Sequence, residues 1–178
     1  MSGFRASSGG VTARFARPEA AIIRDLVGQV VELVVADMPA PDADELAAMV
    51  GLSDSSDVPD DPVLARLLPD GYRDDPDAAG EFRRFTESGL RSAKVESAQT
   101  LLQTLPAAGG KVKLTAEEAE AWLRSLNDVR LALGVRLGVT EEFDGLDEEL
   151  DAEDPRFAYI QIYQWLAYLQ ESLLAALS

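Results

Sequence analysis

Residues Phe157–Gln170 form a run of fourteen amino acids without a charged side chain. The run is too long for an ordinary strand of ~5–6 residues and too short for the ~18 apolar residues of a membrane span. A helix is what remains. Gln161, Gln164, Tyr168 and Glu171 then fall three or four apart, a narrow polar stripe on an otherwise apolar cylinder. Such a helix must be covered on several sides. It is expected either at the centre of a bundle or at a contact with a second copy. Its aromatics suit a core better than a ligand pocket.

The rest of the chain supplies helices to pack around it. Pro18 suits a first helical turn, and 19–36 carries Arg24, Asp25, Gly28, Gln29, Glu32 and Ala36 on one stripe. The other face holds Ile22, Ile23, Leu26, Val27, Val30, Leu33 and Val34, which predicts a core helix despite its β-branched residues. Short helices are expected at 43–50 and 62–68, the second opened by Asp61-Pro62, with an exposed loop at Ser53–Asp57 between them. A helix over 77–105 is expected, broken near Ser88-Gly89. Thr115 with Glu118 is a capping box that opens a helix ending at Leu137-Gly138. Asp154 and Pro155 open the last helix, 155–177.

Two short apolar runs flank Ser7-Ser8-Gly9-Gly10 and predict a hairpin over 3–16. Lys111-Val112-Lys113-Leu114 alternates and suits a third strand beside it. The expected fold is therefore mainly α: a single-domain helical bundle (1–178) of about six helices with a small N-terminal β-hairpin or three-stranded sheet. Its parts are the hairpin 3–16, a helical core 18–137, an acidic linker 139–154 and the C-terminal helix 155–177.

Composition narrows the chemistry. Among 178 residues, 32 acids face 16 bases, a net charge of −16. The excess is local: 37–81 holds thirteen acids with only Arg66 and Arg73, and 141–154 holds nine acids and no base. Bases gather instead at Arg5–Arg24 and Arg83–Lys94. A field this negative disfavours non-specific nucleic-acid binding by the whole surface, while a local basic face could still take an anion. With 0 Cys and 0 His there is no disulfide, no thiolate metal site and no histidine base. No phosphate loop, nucleophile elbow or zinc pattern occurs. An EF-hand begun at Asp144 places Glu149 where glycine belongs, so the acidic block is read as a solvated loop or a lure for a basic partner. Glu117, Glu118 and Glu120 sit in a helix's first turns, where acids favour the dipole. No catalytic, cofactor-binding or metal-binding residue is expected.

The segment Trp122–Leu137 holds the candidate site. Trp122, Leu126, Val129, Leu133 and Leu137 form one apolar face, and Arg124, Asn127, Asp128, Arg130 and Arg136 lie among them. Arg124 and Asp128, four apart, are placed to pair. The set reads as a polar network that fixes helix packing, or as a recognition surface for an anionic partner.

Ser125–Gly138, followed by an acidic linker and Tyr159-x-x-x-Tyr163-x-Trp165-Leu166-x-x-Leu169-Gln170-Glu171, resembles an actinobacterial family of proteins of unknown function. Some members are described as oxidative-stress transcription regulators. The hairpin and first long helix fit the resemblance too. It implies a helical cytoplasmic protein acting on transcription through a protein partner such as a sigma factor or another transcription component. Redox sensing described for that family relies on a cysteine pair, and this chain has none, so direct thiol sensing is excluded.

The resulting expectation is a non-enzymatic cytoplasmic regulator working through protein–protein contacts, without cofactor or membrane contact. A DNA-binding regulator using Arg5–Arg24 or Arg83–Lys94, and a structural or adaptor protein, are the alternatives. A contiguous basic face would favour DNA; bases scattered among acids would count against it. An enzyme using Asp, Glu and Arg alone would need a deep pocket with converging carboxylates. A homodimer through a long helix is a further expected option.

Overall fold

The computed structural model describes residues 2–36, 59–69, 74–140 and 151–178. The expected helix at 43–50, the Ser53–Asp57 loop and the acidic positions 141–150 lie outside them. In chain order the elements are β1 (Arg5–Ser7), β2 (Gly10–Phe15), α1 (Arg17–Val35), α2 (Pro62–Leu67), α3 (Pro76–Thr104), β3 (Gly110–Leu114), α4 (Ala116–Leu137) and α5 (Pro155–Leu177). The mainly α class with a small sheet is as the sequence predicts.

Local signals place most boundaries. The Asp61 and Asp75 carboxylates accept from the first-turn amides of α2 and α3, and Asp154 accepts from the Arg156 amide of α5. Thr115 and Glu118 close the capping box of α4 at 2.9 and 3.2 Å. Gly138, at φ 70°, ends α4 in the left-handed conformation.

The sheet runs β1-β2-β3, antiparallel throughout. Gly10 is the residue that lets it close. At φ 154° a Cβ there would stand 1.9 Å from the Leu114 carbonyl oxygen. One face of the sheet buries Val11, Ala13, Phe15, Val112 and Leu114. Phe4, Phe15 and Trp122 meet above it with ring centroids 5.5–5.8 Å apart. The Trp122 indole donates to Thr104 Oγ1 at 2.8 Å, which ties this cluster to the end of α3.

Two expectations are corrected. No break occurs at Ser88-Gly89; α3 runs unbroken for 29 residues. Arg83, Glu87 and Arg91 lie four apart on one buried face, and the Glu87–Arg91 ion pair spans the glycine. Nor is α5 the central helix. That place belongs to α4, which packs against α1, α2, α3 and α5. The C-terminal helix buries only one side, through Ile160, Leu166, Leu169 and Leu173. Tyr159 and Leu174 stay 51% and 55% exposed. The wide apolar surface is real, but α4 covers only part of it.

Three inward-turned arginines, Arg24, Arg83 and Arg91, do one common job. A helix leaves its last carbonyls without partners, and these gather negative potential. Neither α1 nor α3 has a base in its own last turn. Arg91 of α3 donates to the Val34 carbonyl at the end of α1, 2.6 Å away. Arg24 of α1 donates to Leu102 O at 2.9 Å and also to Leu105 O, at the end of α3. Arg83 donates to Leu68 O at the end of α2, 3.0 Å away. Glu87 sits between Arg83 and Arg91 and balances part of their charge.

Candidate functional site

The two stretches that carry the family resemblance meet along the seam between α4 and α5. From α4, Arg130 donates to the Gln170 side-chain oxygen at 2.7 Å. Its guanidinium also lies 5.1 Å from the Tyr163 ring centroid, a cation–π contact. Gly134 lies under that ring, where a Cβ would be 3.5 Å from Tyr163, an ordinary contact distance. Arg66, Asn127, Arg130, Thr140 and Tyr163 line a cleft of about 270 Å³ beside this seam. Among the described residues its lining holds two arginines and no acid.

The remaining predicted site residues are drawn apart. The Arg124–Asp128 pair does not form. Arg124 turns to Glu120 at 3.4 Å on the exposed side, where a pair contributes little. Asp128, only 5% exposed, pairs instead with Lys94 of α3 at 2.7 Å. Burial raises its carboxyl pKa above the ordinary value, while the hydrogen bond and charge of Lys94 pull it back. Asn127 is exposed on the cleft rim. Arg136 reaches across to Gln29 of α1 at 2.9 Å. Thus Asp128, Arg130 and Arg136 each tie α4 to a different helix: α3, α5 and α1.

The two basic stretches have different fates. Arg83, Arg91 and Lys94 are engaged in the interior or in ion pairs, so Arg83–Lys94 offers no continuous surface from those residues. From Arg5–Arg24, Arg24 turns inward. Arg5 and Arg14 stay exposed on the outer face of the sheet, where they meet two residues that sequence reasoning did not join to them, Lys111 and Lys113. Register shows the grouping: Arg5 lies opposite Thr12, Thr12 opposite Lys113, and Arg14 opposite Lys111. The available signal was the Lys-Val-Lys alternation of β3, which places both lysines on the side away from the core. A broad, shallow concavity of about 850 Å³ covers Arg5, Thr12, Arg14 and Lys111, and no acid lines it among the described residues.

The family model described as domain of unknown function DUF2017 matches residues 1–177. The chain belongs to this family. It is similar to the oxidative stress regulator AosR of Mycobacterium bovis and to the protein of that name in Mycobacterium tuberculosis. Each is 37% identical over 173 residues, 89% of this chain and 78% of the relative. No solved structure matches. No helix among the described residues is long and apolar enough to cross a membrane. No metal-holding cluster of His, Cys, Asp or Glu occurs among those residues either.

Proposed function

We propose that this protein is a non-enzymatic cytoplasmic regulator that acts on transcription by contacting another protein. The observation that carries the reading is the 37% identity, over most of both chains, to proteins named oxidative stress regulators. The structure supports it in a second way. Its interior charges serve as helix locks, while the exposed aromatics of α5 and the basic sheet face are free to meet a partner. The chain has 0 Cys, so a response to oxidant does not run through a thiol of this chain.

Affinity capture of the tagged full chain from its own cells, with mild crosslinking and mass spectrometry, tests the reading. The expected result is enrichment of a sigma factor or another transcription component over an untagged control. Recovery of none would overturn it.

A DNA-binding regulator is the second reading, favoured by the contiguous basic sheet face. Anisotropy of a labelled random duplex across a salt series decides it, since phosphate contacts weaken steeply as salt rises. No binding at low salt rejects it.

A further inference from the structure

Arg5, Arg14, Lys111 and Lys113 stand out because nothing in the described fold answers their charge. None of them makes an ion pair or a side-chain hydrogen bond, and the same holds for Arg17 at the start of α1. Every other base with a described side chain, Arg66 excepted, has a partner. Unpaired bases are thus concentrated on one sheet face of a chain whose acids outnumber its bases two to one. Arg14 lies directly opposite Lys111 across β2 and β3. Like charges in that position destabilise a sheet, so folding alone gives no reason for the arrangement.

We propose that the outer face of the β1-β2-β3 sheet binds an extended acidic segment of a partner protein, an inference that rests on the protein-binding reading above. Geometry selects the occupant. The cations form two rows, Arg5–Thr12–Lys113 and Arg14–Lys111, two residues apart along β2. Two residues of antiparallel strand span ~6.8 Å, which is also the spacing of alternate side chains in an extended peptide. Acids at every second position of such a segment therefore fall over successive rows. Thr12 does not compete, because its hydroxyl donates to the Val112 carbonyl at 2.8 Å. A DNA duplex fits less well. Its major groove alone is ~12 Å wide, broader than the ~9.6 Å between the outer strands of a three-stranded ribbon. It would overrun the face onto a surface that also carries Glu117, exposed just past β3. A single peptide chain stays within the rows.

The test is anisotropy of the full chain with a labelled peptide alternating Glu and Thr, about six residues long so that it matches the length of β2. A Lys/Thr peptide and a random duplex serve as counter-probes. The Glu/Thr peptide is expected to bind at low salt and the other two are not. Arg14→Glu with Lys113→Glu should weaken it at least about tenfold, and Arg66→Glu, on the α4–α5 cleft, less than about twofold. Both substituted sheet side chains point away from the core, and Arg5→Glu provides a second variant should the pair fail to fold. No binding of the acidic peptide, equal loss with Arg66→Glu, or tighter binding of the duplex would each overturn the proposal. The two readings fail separately. If a transcription component is captured and Arg14→Glu/Lys113→Glu leaves capture intact, the sheet face is wrong and the regulatory role stands. If none is captured but the acidic peptide binds through the sheet, the face stands without that role.

Discussion

Lys94 and Asp128 show how one pair can hold two helices and still be sensitive to pH. Both partners are largely withdrawn from water, with 16% and 6% of their side chains exposed. Breaking such a pair leaves one charge without its counterpart. Lys94→Met is expected to cost about 3–5 kcal/mol near neutral pH. The sign with pH follows from the carboxyl. Its pKa in the folded state is raised, chiefly by burial, and Lys94 is what restrains the rise. Without Lys94 the folded chain holds that proton more tightly than the unfolded chain. Stability then falls as pH rises above the unfolded value and recovers as pH drops. Urea midpoints of Lys94→Met and the parent should therefore converge as pH falls from neutral toward the ordinary carboxylate range; an unchanged gap would mean that Asp128 does not govern the loss. Asp154 runs the opposite way. The Arg156 guanidinium and amide hold its carboxyl below the usual range, so the help it gives to the start of α5 is lost only as pH falls through that lowered value.

At the scale of elements, α3 is the helix whose sequence argues against itself. Gly89 costs an exposed helix interior about 0.5–1 kcal/mol relative to alanine, and a Cβ there meets nothing within 4 Å. Gly89→Ala should therefore raise the melting temperature by a few degrees. A lower value would show that the glycine serves a bend which the unbroken α3 does not have. The sheet gives the complementary case. Arg14→Glu would place opposite charges across β2 and β3 and should stabilise the fold by about 0.2–1 kcal/mol, measured by urea denaturation. Gain in stability with loss of acidic-peptide binding marks a residue kept for contact and not for folding. Helix α4 was legible in its boundaries and its apolar face, because capping boxes and a 3.6-residue period act over a single turn. Its polar partners were not legible. Asp128 bonds 34 residues back and Arg130 40 residues ahead, and no local spacing encodes such distances.

For the whole molecule, charge and apolar surface were countable in advance, and their arrangement was not. The sequence by itself determined the mainly α class, the three strands, most helix ends, the excess of acid and the lack of any thiol. Each follows from composition or from interactions a few residues apart, which the chain carries wherever it goes. Tertiary structure decided that α4 and not α5 occupies the centre, because covering an apolar helix depends on which neighbours reach it. It decided that Arg24, Arg83 and Arg91 cap the ends of other helices, since the carbonyls they answer belong to distant segments. It also brought Arg5 and Arg14 beside Lys111 and Lys113. About a hundred residues separate those strands in the chain, and only the register of β2 on β3 turns them into one face.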